Sequence, residues 1–247
     1  MYALLNADVG AAQILPYGGG VADTTQRNGM SSGEIVGAYD PWWGAGEFLY
    51  AKASGAIRQF GLCQFAPVFN ATTKQWDIVA LEVTNVTIMG RPVCVAMLAL
   101  ADTQFGWFCV SGLVPVNCNA SVAADTTFSI AAAGQGGALA AGKQIVNARI
   151  AAAATTTVVK ASVQGNSGDK FFTVVDSNGF IVGGYMSGTG VGAAAILTSI
   201  SADGRTISVS VANSAAVTGN ITCTYNNATI FYNVAHLNRP FAQGAIT

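Results

Sequence analysis

Glu47-Phe48-Leu49-Tyr50-Ala51-Lys52, followed by Ile57-Arg58-Gln59-Phe60-Gly61-Leu62-Cys63-Gln64-Phe65, sets the class of the fold. Both segments read as strands, and the second alternates between faces. Ser54-Gly55 between them marks a hairpin-like turn. Working toward the C-terminus, Trp76-Asp77-Ile78-Val79-Ala80-Leu81-Glu82-Val83 is the next strand. Pro92 to Ala101 is nearly all apolar, which predicts a strand covered on both faces. Phe105-Gly106-Trp107-Phe108-Cys109-Val110-Ser111-Gly112-Leu113-Val114-Pro115-Val116 continues the series. Gly106 and Gly112 inside it predict bulges or corners. Strands at near-regular spacing with turn signals between them predict an all-β fold, a β-sandwich or small barrel.

Beyond Ala120 the pattern resumes. Asp125–Ile130 and the alternating Lys143–Ile150 read as strands, with Ala133-Gly134-Gln135-Gly136-Gly137 as a loop. From Thr155 onward come β-branched runs at Thr156–Val163, Phe171–Val175, Phe180–Val182, Thr206–Val211, Asn220–Tyr225 and Thr229–Tyr232. Asn178-Gly179 and Asp203-Gly204 are hairpin turns by type, because Asn, Asp and Gly tolerate the positive φ required. The alanine run Ala151–Ala154 is too short, and too closely flanked by Thr and Val, for a helix. Upstream of the first strand, residues 1–45 have no clear period and are rich in Gly and Pro. They also carry Ile14, Leu15, Tyr17, Ile35, Tyr39, Pro41, Trp42 and Trp43. This combination predicts an extended N-terminal arm that gains order by lying on a surface, with a long ordered loop wrapped on its own domain as the alternative. The expected organisation is an arm over 1–45, a core β domain over 46–154 plus 233–247, and a second, inserted β domain over 155–232 that projects outward.

The chain has 247 residues, of which 51% are hydrophobic and only 9% charged. Ordinary soluble domains carry about 25% charged residues. Such a deficit fits a surface largely occupied by neighbouring subunits, since interface cores are depleted in charge. Net charge is −1 and the eleven Lys and Arg are scattered singly, so no nucleic-acid footprint is present. No apolar run is long enough for a transmembrane helix. The N-terminal residues lack the basic flank of a signal peptide, which predicts synthesis and assembly in a cytoplasm. Five widely spaced cysteines, with no C-x-x-C pair, argue against zinc, and Cys94 and Cys109 read as small buried hydrophobes.

Motifs that carry chemistry have better local explanations. His236 is the single histidine, so a Ser–His–acid triad would have to use it. Gly29-Met30-Ser31-Ser32-Gly33 matches G-x-S-x-G but lacks the strand and helix that make a nucleophile elbow. Gly188-Thr189-Gly190-Val191-Gly192-Ala193 looks like a dinucleotide loop, yet a strand and a hairpin follow it. Asp176-Ser177-Asn178-Gly179 opens like a calcium loop without the later Gly and closing Glu. The expectation is a non-enzymatic protein with no catalytic residue, metal or cofactor.

Four short motifs resemble a known family. They are Gly46-Glu47-Phe48-Leu49-Tyr50-Ala51-Lys52-Ala53, Gly106-Trp107-Phe108-Cys109-Val110-Ser111-Gly112-Leu113, Val122-Ala123-Ala124-Asp125-Thr126 and Asn238-Arg239-Pro240-Phe241. Their order and span resemble the head decoration, or cement, proteins of tailed bacteriophages. The resemblance implies a β-barrel-like domain, commonly trimeric, on the outer capsid surface and in contact with the major capsid protein. It implies no catalytic residues and localisation to the virion. Residues 155–232 depart from the pattern, because short members pass directly from the strand matching 143–150 to the closing one. That insert raises an alternative, a head fibre or adhesin-like module recognising a host-surface glycan or receptor. Candidate subunit-interface residues are Ile14, Leu15, Tyr17, Ile35, Tyr39, Pro41, Trp42, Trp43, Arg239 and Phe241.

Overall fold

The computed structural model describes residues 3–4, 23–25, 31–40, 42–84, 90–201, 203–227 and 229–243, the first pair by backbone only. Among them there is no helix. The first strands are β1 (Ala3–Leu4), β2 (Ile35–Asp40), β3 (Gly44–Ala53), β4 (Leu62–Asn70), β5 (Gln75–Glu82), β6 (Val93–Ala96) and β7 (Phe105–Cys118). Five of these close a small barrel. β3 pairs with β5 in parallel, and the ring continues antiparallel through β5–β4, β4–β6, β6–β7 and β7–β3. The interior is lined by Leu49, Ala51, Ala53, Cys63, Ala80, Cys94, Ala96, Phe108 and Val110. Five strands enclose little space, so side chains this small are what the ring can hold. Ser54-Gly55 is a bend, not a hairpin turn: β3 and β4 do not pair, and the chain crosses the barrel end through the Ile57–Leu100 bridge.

The opposite face of β3 and β7 builds the main core. Phe48, Tyr50, Trp107 and Cys109 point out of the small barrel and are covered by the rest of the sheet. β7 reaches that cover by bending. A bulge at Val110 precedes Gly112, whose φ is +112° and where a Cβ would come within 2.9 Å of the backbone of Ala45 and Gly46. Beyond the bend, β7 pairs with β17 (Phe231–Ala242), and β17 with β10 (Ile145–Ala152). Between β7 and β10, β8 (Ser129–Ala132) and β9 (Gln135–Gly137) form a tight hairpin, so the expected loop at 133–137 is a two-residue turn plus a short strand. Asn233, fully buried in β17, ties this layer together. Its Oδ1 accepts from Val122 N and Ala154 N, both at 2.9 Å, and its Nδ2 donates to Ala120 O at 3.0 Å.

The chain leaves this sheet after β10 and re-enters it at β17, having formed a second, closed barrel of six strands. These are β11 (Thr157–Gln164), β12 (Phe171–Val174), β13 (Tyr185–Thr189), β14 (Ala195–Ile200), β15 (Thr206–Val209) and β16 (Thr218–Thr224), in the order β11-β12-β15-β14-β13-β16. Asp203-Gly204 turns the β14–β15 hairpin as expected. Asn178-Gly179 does not join paired strands. It starts a folded crossing in which Phe180, Ile181 and Val182 are buried without being a strand. Gly179 and Gly183 break the extension with φ of 86° and 92°, and their carbonyls are held by Tyr225 Oη and Asn227 Nδ2.

The end of the segment read as an arm belongs to the sheet. β2 pairs with β3 from Ile35↔Leu49 to Asp40↔Gly44, and β1 pairs with β2. Asp40, fully buried, shapes the connecting turn by accepting from Trp42 N at 2.7 Å and Trp43 N at 2.8 Å. Pairing with β3 holds Ile35–Asp40 in the chain's own sheet, so this portion is not an extended arm.

Candidate docking surface

The small barrel is open at one end. Ile35, Phe65, Pro92, Val93, Val110, Arg239 and Pro240 line a depression there of about 100 Å³. Phe241 is next to it, bridged to Pro92. From this mouth the β4–β5 hairpin runs on without support. β6 accompanies β4 only as far as Gln64, and β3 accompanies β5 only from Val79. Among the described residues, no strand flanks the distal part, Pro67–Asn70 with Gln75–Asp77.

The side chains on this projecting arm follow from alternation. Cys63, Phe65, Ile78 and Ala80 face the barrel interior or pack against it. The β4–β5 register is unbroken, so Pro67, Phe69 and Trp76 lie on that same face. The apolar stripe that fills the barrel therefore continues past its mouth. Phe69 and Trp76 sit opposite each other, with ring centroids 5.4 Å apart, and Trp76 is 65% exposed. Val68 adds a half-exposed apolar group on the reverse face. An isolated two-stranded ribbon is marginal in water.

Two features guard the arm's edges. Ile78 N–H donates to Ser32 Oγ, and Ser32 Oγ–H donates to Ile78 O, at 2.8 and 2.7 Å. Ile78 thus directs its backbone groups away from β4, where its partner is Pro67, which has no N–H to offer. A charge pair marks the rim. Arg239, with φ of 46°, donates through Nε and Nη2 to the two Glu47 oxygens, both at 3.0 Å. Glu47 holds the guanidinium pKa above its ordinary value. Arg58–Glu82, Arg149–Asp125 and Lys160–Asp176 are likewise paired internally, which leaves the surface still poorer in free charge.

The candidate residues divide. Ile35, Arg239 and Phe241 meet at the mouth, and Tyr39, half-exposed, shares Ile35's face of β2. Trp43 is only 5% exposed and packs 6.4 Å from Tyr225, so it is committed to the core and not free to anchor another subunit. Trp42 is elsewhere, in a groove of about 610 Å³ between the core sheet and the six-stranded barrel. Lys160 Nζ lies 5.3 Å over its ring, and Gly179 is close enough that a Cβ there would come within 2.6 Å of the indole. Ile14, Leu15, Tyr17 and Pro41 lie outside the described residues. Sequence reasoning missed Phe65, Phe69, Ile78 and Trp76 as surface residues. The continued alternation Cys63, Phe65, Pro67, Phe69 was the available signal.

The motif residues are otherwise engaged. Ser31, the serine of the G-x-S-x-G match, donates its backbone N–H to Glu34 Oε2 at 3.4 Å, and His236 is exposed on β17 with Leu113 and Arg149 as its cross-strand partners. Asp176 accepts from Lys160 at 2.6 Å and from Asn178 N at 3.0 Å, and the Lys160 hydrogen bond pulls its pKa down. Gly188–Ala193 spans the end of β13 and the turn before β14. All five cysteines are buried and free, with pKa values pushed up by burial, Cys118 to about 11 and Cys109 and Cys223 to about 12. No group of three metal-ligating side chains occurs among the described residues. No helix among them is long and apolar enough to cross a membrane. No protein-family model, curated protein or solved structure matches the chain.

Proposed function

We propose that this chain is a virion structural protein that seats on the outside of a tailed-phage capsid through the open end of its small barrel. The partner is the major capsid protein. One observation carries the reading: the barrel's interior stripe runs out along an unflanked arm and ends in an exposed Phe69–Trp76 pair. Apolar surface of this kind marks an interaction site, and aromatic residues dominate interface energetics. The resemblance to decoration proteins adds support. Glu47 and Arg239, from the first and last of the four motifs, pair across the mouth's rim, and Gly112 of the second packs on Gly46 of the first. A homotrimer, as the resemblance implies, would present three such arms to the capsid lattice.

The experiment compares capsids with and without the protein. Capsids lacking it should disassemble at lower temperature or at low salt, and re-addition should restore resistance. Equal stability of the two preparations sinks the cementing role. A second reading, a head fibre or adhesin-like module, is favoured by the groove at Trp42, where a half-exposed indole stands beside the Lys160–Asp176 pair. Deleting the six-stranded barrel should then abolish host adsorption and leave capsid binding intact. Normal adsorption by the deleted form rejects it.

A further inference from the structure

Two of the five free cysteines face each other on adjacent strands. In the β4–β6 register Cys63 is the direct partner of Cys94. The other three have no such neighbour: Cys109 lies opposite Val95 and Phe48, Cys118 opposite Phe231 and Gly136, and Cys223 opposite Val158 and Met186. The surrounding ladder fixes the kind of pair. Ala96 N donates to Gly61 O at 3.0 Å and Phe65 N to Pro92 O at 3.3 Å, two positions to either side, so Cys63 and Cys94 form a hydrogen-bonded pair. Such a pair holds its Cα atoms about 5.5 Å apart, inside the span of about 4.4–6.8 Å that a disulfide bridges. Both side chains are fully buried in the interior of the small barrel, so their Cβ vectors run together and not apart. Cys109 faces the main core, on the other side of the sheet.

We infer that Cys63 and Cys94 are an oxidation site, which closes to a disulfide when the folded chain meets a small peroxide. Position selects the size of the oxidant. The depression of about 100 Å³ at the barrel mouth is lined by Phe65, two residues beyond Cys63 on the same face, and by Val93, next to Cys94. That space suits a molecule close to water in size and excludes a tripeptide thiol reagent. The arm that leaves the barrel here is a marginal ribbon, so opening at its root uncovers the pair. One thiolate attacks a peroxide oxygen, the O–O bond breaks, and the departing hydroxide takes a proton to become water. The second thiolate attacks the sulfenic sulfur, the S–O bond breaks, and a second water leaves. Two thiols are oxidised and one peroxide is reduced to two waters. Burial keeps both thiols protonated, so closure is slow at neutral pH and quickens as pH rises. The bond ties β4 to β6 where the arm leaves the barrel. The segment it closes, 64–93, contains the whole arm, and constraining that segment in the unfolded chain stabilises the folded one.

The reduced full chain, freed of reductant and exposed while folded to hydrogen peroxide at mildly alkaline pH, tests it. Alkylation after denaturation counts the thiols, and peptide mass mapping locates any link. The count should fall from five to three, with the Cys63 and Cys94 peptides joined. The melting temperature should rise by about 5 °C or more and return to its starting value with dithiothreitol. Cys109→Ala should still form the link. Cys63→Ala and Cys94→Ala should form none and gain no thermal stability from peroxide. A folded wild type that keeps all five thiols overturns the inference. So do oxygen adducts without a link, or a link that runs through Cys109, Cys118 or Cys223. No capsid enters these measurements, so this inference and the docking reading fail separately.

Discussion

Trp76→Ser should separate docking from folding. The side chain is 65% exposed, and among the described residues its ring contact is Phe69 at 5.4 Å. A tryptophan can bury up to ~250 Å², so about 160 Å² of it is available to a partner. At ~25 cal/mol per Å² that area is worth about 4 kcal/mol gross. Association costs consume part of it, and about 2 kcal/mol is a conservative net figure for an aromatic anchor. Removing it should weaken capsid binding by about 30-fold or more. The fold loses only an edge contact of about 1 kcal/mol, which in a domain of this size lowers the melting temperature by about 2–4 °C. Co-sedimentation with capsids lacking the protein gives the dissociation constant, and calorimetry gives the melting temperature. Binding within twofold of wild type would refute the reasoning. So would a melting temperature lowered by about 10 °C or more, which would make Trp76 a core residue.

Three further outcomes follow from the interior. Asn233→Ala strips partners from two buried N–H groups and one carbonyl, and should cost about 2–5 kcal/mol in urea unfolding; a loss under about 1 kcal/mol would mean the backbone repairs itself. Gly112→Ala places a Cβ 2.8 Å from Ala45 O and 2.9 Å from Gly46 Cα at positive φ, so it should destabilise by about 3 kcal/mol or more, where Gly219→Ala, also at positive φ but with open space, should cost less by the same measurement. The buried thiols have folded pKa values raised above their unfolded value near 9, so their contribution is complete below pH 9 and is lost as pH climbs toward 11–12. Each should cost about 1 kcal/mol by pH 10, because the unfolded chain releases protons that the folded one keeps. The urea midpoint should be flat from pH 6 to 8 and fall steeply above 9; a flat profile through pH 10.5 would show that the thiols titrate normally when folded.

Strands were legible wherever two-residue alternation was long. Lys143–Ile150, Thr156–Val163 and Phe105–Val116 correspond closely to β10, β11 and β7. Partnership was not legible, because turn residues encode a local change of direction and not which strand lies alongside. Ser54-Gly55 looks like a hairpin by type, yet β3 closes the small barrel through a parallel partner more than twenty residues away. The same limit explains Trp43. One buried carboxylate, Asp40, caps the amides of both Trp42 and Trp43, and the turn it builds leaves one indole half-exposed and buries the other. Nothing in the pair Trp-Trp distinguishes them. At the mouth, Ile35, Tyr39, Arg239 and Phe241 were legible as apolar or motif residues. Phe69 and Trp76 were not, since nothing in a strand's own residues says whether another strand will flank it.

The position of the second barrel explains how one chain can carry two kinds of surface. β10 and β17 pair with each other from Ile145↔Ala242 to Ala152↔Val234, and the barrel departs and returns at the end of that ladder. Its own first and last strands pair with Thr157 opposite Thr224, so entry and exit lie side by side. A closed barrel adds no exposed strand edge. What fixes the barrel to the core is the hydrogen bond from Tyr232 N to Tyr225 O at 2.8 Å, together with the Asp40 turn, with Trp43 against Tyr225 and Trp42 against Gly179 and Lys160. Replacing residues 153–230 by a short flexible linker should therefore preserve the small barrel, its mouth and its arm, while stripping the cover from Trp43. If the mouth is the docking surface, such a protein should still bind capsids as tightly as the full chain, and Trp43→Ser should restore solubility lost by that exposure. Loss of capsid binding by a folded, soluble short form would place the docking surface on the inserted barrel instead.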